Sequence, residues 1–273
     1  MSVITISRQL GSLGTEIAQT VSEKLNYEYV DKEKIGEALA AYDLPLSEVE
    51  KFDEKKPPFW GSWQTQREKF LHFLQAVIYD FASKGNVVIV GRGGQVLLKN
   101  LPGVLHVRII ASFDLRVKRL SEQRWVDESQ AHRVLRRSDR DSAGFLRSFF
   151  DVDWDDQSLY DLVINTQKLS IESAVEMILK VMQSSEIKDG EKKAAEKLAD
   201  LALVQKVEAE LLSVVGGDLR HISIQIEEGV VTLRGAVTSG VDQESCQRAV
   251  AGVKGVERVE NQLSVAHYYR YSF

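Results

Sequence analysis

Two glycine-bearing turns carry residues that could bind phosphate, and the first follows the N-terminal strand pattern. The stretch ITISRQLGSLGTEIAQ, residues 4–19, reads as a short apolar strand, a turn with Gly11 and Gly14, and the start of a helix. Free N–H groups and the helix dipole make such an N-terminus an anion site, and glycines let the backbone approach a phosphate. The sequence therefore predicts a phosphate cradle with Arg8 as its nearest cation.

The first turn lacks the lysine of a full phosphate loop, G-x-x-x-x-G-K-[ST]. When Gly14 is placed at the second motif glycine, Thr15 takes the lysine position and Glu16 the hydroxyl position. A carboxylate in the first helical turn competes with an anionic ligand. The alternative is that Gly11 and Gly14 only allow a tight turn packed against the sheet, and the motif alone does not decide between the two.

The second turn carries a cation directly after a buried strand pattern. In VVIVGRGGQVLL, Arg92 lies between glycines. Open α/β sheets bind ligands at the edge where their strands end, so both turns are predicted at one edge, where they could hold two phosphates. Taken singly, Arg92 would be read as a surface arginine. Asp31, at the end of YEYVD, either contacts a ribose or base from this edge or caps the following helix.

Nine lysines and arginines fall between residues 116 and 147. Enzymes of phosphoryl transfer bring several arginines over the phosphates on a mobile segment, so this stretch predicts a lid. Acidic residues interleave with the basic ones, and a pair of solvated helices with i,i+4 ion pairs is the alternative. An RNA-binding surface is the third reading, and the interleaved acids and the negative chain disfavour it most.

Strand and helix patterns alternate along the first two thirds of the chain. The strand patterns are SVITIS, YEYVD, NVVIVG, VLHVRIIAS and YDLVINT. Strands separated by helical patterns predict a parallel sheet that is covered on both faces. From about residue 184 the chain becomes polar and charge-dense, and the order then changes to helix, strand, strand, helix, strand, with a turn near Glu228 and Gly229. A unit of about 70 residues buries only a modest core, so it is either marginally stable alone or braced by the first domain or a second copy.

Composition limits the classes of function. The formal charge of −5 and the pI near 5.7 argue against bulk attraction to nucleic acid or anionic lipid, so an anion site must be local. Cys246 is the single cysteine, and the five histidines have no ligand spacing, so we predict no disulfide and no metal site formed by the protein. Without a leader pattern or a long apolar run, the sequence predicts a cytoplasmic protein that does not span a membrane.

The motifs taken together resemble the cytidylate kinase-like family, relatives of the nucleoside monophosphate kinases. The resemblance covers about residues 1–183, through ITISRQLGSLGTEIAQTVSEKLNYEYVDKEKI, VVIVGRGG, LHVRIIAS, RRSDRDSAGFLRSFF and DWDDQSLYDLVINTQKLSIESAV. It implies a five-stranded parallel P-loop sheet, ATP with Mg²⁺ as donor, and a nucleoside monophosphate as acceptor. In its register Arg8 stands at the first motif glycine and Gly14 at the lysine, while Leu13 replaces a glycine.

The resemblance also assigns roles to individual residues. The residues assigned to the donor nucleotide are Gly11, Ser12, Gly14 and Thr15. Those assigned to catalysis are Arg8, Arg137 and Arg140, and those assigned to the acceptor are Arg92, Asp31 and Arg147. Without a loop lysine or arginine, Arg8 and the lid must supply the positive charge.

The C-terminal part resembles a BON domain, through VEAELL, ISIQIEEGVVTLRGAV and VAGVKGVERVENQLSV. We therefore predict a kinase-like domain at 1–183, a linker at 184–197, a BON domain at 198–268 and a tail at 269–273. The expected function is a nucleoside monophosphate kinase whose BON domain binds a protein or a small ligand; the chain could also form a homo-oligomer. The alternatives are a kinase-fold sensor that binds nucleotide without turnover, and an assembly module whose glycine turn binds nothing.

Overall fold

The chain forms two compact units, each with its own sheet and core. The computed structural model describes residues 2–40, 62–215, 219, 221–237 and 239–265. The units are Met1–Ala195 and Glu196–Phe273, and the division falls inside the helix Ser185–Val214. The domain limits at 183 and 198 stay predictions, and the predicted tail at 269–273 lies outside the described residues.

Five parallel strands form the sheet of the first unit, which confirms the predicted fold class. They are β1 (Val3–Arg8), β2 (Glu28–Val30), β3 (Val87–Val90), β4 (Val104–Ile110) and β5 (Leu162–Asn165), in the order β2-β3-β1-β4-β5. Ile6 of β1 pairs with Val90 of β3 and with Val107 of β4. The C-terminal ends of β1 and β3 are therefore neighbours, so the two glycine turns lie at one edge of the sheet.

Helices connect these strands, and some of them begin at residues whose side chains cap them. They are α1 (Gly14–Leu25), α2 (Lys32–Ala40), α3 (Ser62–Lys84), α4 (Gly94–Leu97), α5 (Phe113–Arg124), α6 (Glu128–Phe150), α7 (Ile171–Met182) and α8 (Ser185–Val214). Asp127 accepts a hydrogen bond from the Gln130 N–H at 2.7 Å, and Ser170 accepts one from the Ser173 N–H at 3.2 Å. These side chains satisfy N–H groups that have no partner inside the helix, which fixes where α6 and α7 begin.

The core of the first unit lies where α1 and α7 pack on the sheet. Ile17, Ala18 and Val21 form the buried stripe of α1, at the spacing of one helical face. Ile4 and Ile109 of the sheet are fully buried in the same cluster. Burial of each large apolar side chain of this kind adds about 1.5–3 kcal/mol to the free energy of unfolding. This packing fixes α1, and with it the turn that precedes the helix, relative to the strand ends.

A buried histidine makes the stability of the first unit depend on pH. Thr5 Oγ1 lies 2.7 Å from His106 Nδ1, between β1 and β4, and burial lowers the pKa of the imidazole although Asp161 opposes this. The unfolded chain takes up the proton near pH 6.5, whereas the folded chain takes it up only at lower pH. We therefore expect the free energy of unfolding to fall as the pH drops below about 6.5.

Urea unfolding of wild type and His106→Gln across this pH range tests the expectation. His106→Gln should be less sensitive to acid than wild type below about pH 6.5, because the substituted side chain takes up no proton there. His132→Gln, which replaces a partly exposed histidine of α6, is the matched control. Equal acid sensitivity in wild type and His106→Gln would contradict the assignment.

The second unit is a small α+β fold that confirms the predicted order of elements. The end of α8 is followed by β6 (Ile222–Glu227), β7 (Val230–Val237), α9 (Gly240–Ala251) and β8 (Arg258–Val265). The strand order is β6-β7-β8, with β6 antiparallel and β8 parallel to β7. Glu228 and Gly229 form the predicted turn with φ of 48° and 77°, as expected of a tight hairpin. The single cysteine, Cys246, is buried in the core of this unit.

Among the described residues, no helix combines the length and the apolar character needed to cross a membrane.

Candidate functional site

Buried hydrogen bonds hold the first glycine turn, and the N-terminus of α1 has no capping side chain. Ser12 is buried, and its hydroxyl donates to the carbonyl oxygens of Gln9 at 2.7 Å and Ile109 at 3.2 Å. The first helical bond joins the Ile17 N–H to the Leu13 oxygen, and no side chain caps the helix start. The N–H groups of residues 14–16 therefore precede the first helical bond, as in helix N-termini that bind anions.

Carbonyl oxygens of the same turn are bound by side chains of the neighbouring elements. Arg116 and Arg119 of α5 donate to the oxygens of Leu10 and Gly11, each at 3.3 Å. The hydroxyl of Thr166, which follows β5, donates to the oxygen of Ser12 at 2.9 Å. With its carbonyls occupied in this way, the turn has its N–H groups left to offer a ligand.

Arg116 is also the buried partner of an ion pair. Its two terminal nitrogens donate to the two carboxylate oxygens of Asp139 in α6, at 3.0 and 2.9 Å, and its side chain is 4% exposed. A bidentate pair of this kind is stronger and more directional than a single hydrogen bond. Arg116 therefore ties α6 to α5 and to the glycine turn at once, so part of the basic segment has a structural role.

The backbone supports the family register for this turn. Leu13, which replaces a glycine in that register, has φ of 64°, a conformation that glycine adopts without strain. Gly14 stands where the motif has lysine, and an ideal Cβ built there would lie 2.4 Å from Arg8 Cβ and 2.9 Å from Arg8 Cγ. The Arg8 side chain therefore fills the space in which a lysine side chain would start, so the two departures from the motif are coupled.

Arg8 leads from this turn to the second glycine turn. An ideal Cβ at Gly91 would lie 3.0 Å from Arg8 Nη1, which places the guanidinium beside the end of β3. Burial lowers the pKa of Arg8, and the nearby charge of Arg92 lowers it further, whereas Tyr29 and Asp31 raise it. Arg8 and Arg92 are thus like charges that repel each other, and an anion bound between them would relieve the repulsion.

The second turn has an unusual backbone. Gly91, Arg92 and Gly93 have φ of 79°, 53° and 74°, so three consecutive residues are left-handed and one of them is not glycine. The ring of Phe150, at the end of α6, occupies the space beside Gly93, where a Cβ would come within 2.3 Å of it. Arg92 lies over the ring of Phe145 at 5.7 Å. The C-terminal aromatic residues of α6 thus hold the turn that presents Arg92.

A cavity of about 660 Å³ opens between the two turns and α6. Its basic residues are Arg8, Lys32, Arg92 and Arg137, and Asp141 is its acidic residue. The other described lining residues are Ser7, Leu10, Val90, Gly91, Gly93, Gln95, Val134, Ser138, Ser142, Phe145, Leu146 and Trp154. Cavities of roughly 300–1,000 Å³ hold small ligands, and the excess of cations selects an anionic one.

Of the predicted residues, Arg8, Arg92 and Arg137 line this cavity. Gly11, Ser12, Gly14 and Thr15 belong to the adjacent turn and to the first residues of α1. Arg140 and Arg147 are exposed on α6 and are not among the residues that line the cavity. Asp31 precedes α2 and accepts a hydrogen bond from the Lys34 N–H at 3.1 Å, which is the capping alternative. These roles stay predictions.

A buried network behind the cavity was not predicted. Trp154 donates from Nε1 to Ser7 Oγ at 2.9 Å, and both residues line the cavity. Arg108 donates to Ser7 Oγ at 3.3 Å and to the Tyr160 hydroxyl at 3.2 Å, and it stacks on the Trp154 ring at 4.2 Å. Asp155 neutralises its charge at 2.5 Å. An arginine inside the apolar run VLHVRII was the sequence signal for this network, since a buried charge needs partners.

Comparison with known proteins shows the family of the first unit. Residues 3–168 match the model of the cytidylate kinase-like family, and residues 191–267 match the BON domain. A cytidylate kinase of Archaeoglobus fulgidus is 28% identical over 191 residues, which cover 69% of this chain and 99% of the relative. A cytidylate kinase of Methanocaldococcus jannaschii is 27% identical over 179 residues, 64% of this chain and 94% of the relative. A solved structure of an uncharacterized protein from Eubacterium ventriosum superposes with a TM-score of 0.52 at 23% identity, covering 67% of this chain and 99% of that one; this likeness shows the fold alone.

Proposed function

The chain belongs to the cytidylate kinase-like family through residues 3–168, and from this membership we propose that it transfers the γ-phosphoryl group of ATP to a nucleoside monophosphate such as CMP. One observation carries the proposal. The open N-terminus of α1 and the cavity with Arg8, Arg92 and Arg137 lie at the same edge of the sheet. Two adjacent anion sites are what a transfer between two phosphates requires.

In this proposal each turn holds one substrate. The donor phosphates bind the N–H groups of residues 14–16, and the acceptor lies in the cavity with its phosphate on Arg92. Arg137 of α6 lines the same cavity, beside Asp141 at 3.6 Å, and its charge stabilises the phosphoryl oxygens during transfer. The acceptor oxygen attacks the γ-phosphorus, and the bond from that phosphorus to the β–γ bridging oxygen breaks, so that ADP leaves.

The donor also brings Mg²⁺, as is general for phosphoryl transfer from ATP. The family register puts Thr15 at the hydroxyl position of the motif, and Thr15 is exposed in the first turn of α1. Among the described residues no cluster of three or more histidine, cysteine or acidic side chains could hold a metal ion. The Thr15 hydroxyl therefore fits an ion held mainly by the phosphates, and when bound that ion neutralises part of their charge.

We expect the substitution Arg92→Asn to raise the KM for CMP at least about tenfold, because a charge-assisted hydrogen bond to phosphate contributes about 1.5–3 kcal/mol. Asparagine tolerates the left-handed backbone at this position, so the turn should persist. The KM for ATP should change little. Steady-state kinetics with ATP, Mg²⁺ and a panel of nucleoside monophosphates measures both constants.

The exposed Arg133 of α6, which donates to Ser129 Oγ at 2.8 Å, offers a matched control. Arg133→Ala should leave both KM values unchanged. If purified wild-type protein makes no nucleoside diphosphate above background with any monophosphate, the proposed reaction is wrong.

A second candidate function is a sensor that binds nucleotide without turnover. The loop that lacks lysine and carries Glu16 in the first turn of α1 supports it, because less positive charge is available to the transferring phosphate. Calorimetry with ATP and CMP separates the two functions. Binding together with turnover supports the kinase, whereas tight binding without turnover supports the sensor.

For the second unit we propose an interaction or regulatory role. Its β6 strand alternates half-buried isoleucines with exposed polar residues, so one sheet face packs on the core and the other is polar. The exposed residues of β6 are Ser223, Gln225 and Glu227. A polar sheet face suits contact with a protein or a polar ligand. Pull-down with the full chain, compared with a chain carrying Ser223→Lys, Gln225→Lys and Glu227→Lys, tests the role.

A further inference from the structure

We propose that Arg8 and Arg92 form one anion-binding pair that holds the acceptor phosphate, so that Arg8 serves the cavity and not the donor loop. This inference rests on the proposed function for the name of the ligand, and it deepens that function by adding a second acceptor-binding residue. It concerns a position where the phosphate-loop motif has glycine, so the motif itself assigns no role to a side chain there.

The Arg8 side chain extends from the first glycine turn to the second. Its Cβ and Cγ cover Gly14, at 2.4 and 2.9 Å from the Cβ position of that residue, and its Nη1 lies 3.0 Å from the Cβ position of Gly91. The side chain thus starts above α1 and ends beside β3. Its charge lies with Arg92 at the cavity, while the loop beneath it keeps only N–H groups for the donor.

The Arg8 guanidinium also lacks a close partner of opposite charge among the residues that the structure describes. Within the described residues, the Arg8 guanidinium makes no hydrogen bond and has no carboxylate within 4.0 Å, whereas Arg108 and Arg116 both have such partners. Tyr29, Asp31 and Glu33 raise the pKa of Arg8 without forming an ion pair within 4.0 Å, and Arg92 lowers it. A largely buried guanidinium without a partner is costly, and a bound anion would remove that cost.

The lining of the cavity defines the ligand class. Arg8, Arg92, Lys32 and Arg137 outnumber Asp141, so the site favours a doubly charged phosphate monoester over a neutral sugar. Phe145 and Trp154 add aromatic surface to the same cavity. Arginine pairs bind the three oxygens of a phosphate with more directed donors than a single cation offers. A nucleoside monophosphate combines the dianion with a planar base.

Binding measurements on the full chain test the pair. We expect Arg8→Met and Arg92→Asn each to raise the dissociation constant for CMP, or for the best-bound monophosphate of a panel, at least about tenfold in calorimetry. Methionine keeps the Cβ and Cγ that cover Gly14, so the variant should fold. In the double variant the dissociation constant should rise by less than the product of the two single fold-increases, because both residues bind one anion. The dissociation constant for ATP alone should change less than about threefold.

The opposite pattern overturns the inference: Arg8→Met raises the dissociation constant for ATP at least tenfold and leaves that for the monophosphate unchanged. Arg8→Lys, which keeps a positive charge, should recover part of the monophosphate affinity, and equal loss in both variants would also count against the pair. A wild-type protein that binds neither a monophosphate nor inorganic phosphate rejects the inference together with the proposed function. Monophosphate binding that needs Arg8, in a protein that transfers no phosphoryl group, would keep the inference and reject the kinase.

Discussion

Replacing Gly14 by lysine, the residue of the phosphate-loop motif, is expected to lower the free energy of unfolding of the first unit by about 3 kcal/mol, the upper part of the range for overpacked sites. A Cβ at Gly14 would lie 2.4 Å from Arg8 Cβ and 3.2 Å from Ile109 Cβ. These neighbours are the inner atoms of their side chains, so they cannot move without shifting β1 or β4. The substitution should therefore disrupt the loop and should not create a donor-binding lysine.

The double variant Arg8→Gly/Gly14→Lys is the decisive control. Removing the Arg8 side chain frees the space over α1, so the double variant should regain most of the stability that Gly14→Lys loses. Gly144→Ala in α6 is a control for a helical glycine with open surroundings, where alanine should stabilise by about 0.5–1 kcal/mol. Equal stability of Gly14→Lys and wild type would contradict the clash.

Urea unfolding followed by tryptophan fluorescence measures this effect in the right part of the chain. All four tryptophans fall within residues 1–195 of the sequence, and Trp154 is buried in the first unit. The signal therefore reports the unit that contains the substitution and not the second unit.

The substitution Asp139→Ala should lower the free energy of unfolding by about 3–5 kcal/mol, the usual cost of leaving a buried charge without its partner. Arg116 is 4% exposed at its side chain, and Asp139 accepts both of its terminal nitrogens at 3.0 and 2.9 Å. Arg116 also donates to the Leu10 oxygen at 3.3 Å. Loss of the ion pair should therefore also loosen the glycine turn, and so weaken ATP binding.

Two further variants separate a buried charge from a general effect of the helix. Arg116→Met/Asp139→Leu removes both charges, and it should recover much of the stability that Asp139→Ala loses. Asp141→Ala breaks the exposed pair with Arg137, whose side chain is 61% exposed, and should cost less than about 1 kcal/mol. Fluorescence-detected unfolding compares all three, and similar losses in Asp139→Ala and Asp141→Ala would contradict the role of burial.

The sheet was predictable because its strands are short apolar runs separated by helical patterns. VITI, VVIV and VLHV are buried almost completely, and parallel order follows when helices connect successive strands. The glycine turns were predictable for the same reason, since they directly follow these runs. The backbone conformation of Leu13 was not predictable. The sequence has leucine where the family register has glycine, but the backbone keeps the conformation that glycine favours.

The division of labour among the arginines was not predictable from residue types. Arg116 and Arg119 contact the glycine turn from more than 100 positions away in the chain, and contacts of that range depend on the finished fold. On α6, Arg137 faces the cavity while Arg140 and Arg147 do not, because the rotation of the helix is set by what it packs against. The sequence predicts the helix and its charges, whereas tertiary packing decides which side chains meet the ligand.

The left-handed backbone at Arg92 bears on how this protein could be engineered. An arginine held at φ 53° between two left-handed glycines costs stability that glycine or asparagine would recover. A thermostability screen would therefore enrich variants that discard the side chain facing the cavity, since stabilising changes near strained sites often reduce activity. Library design for this fold should hold position 92 fixed, or score ligand affinity and melting temperature together.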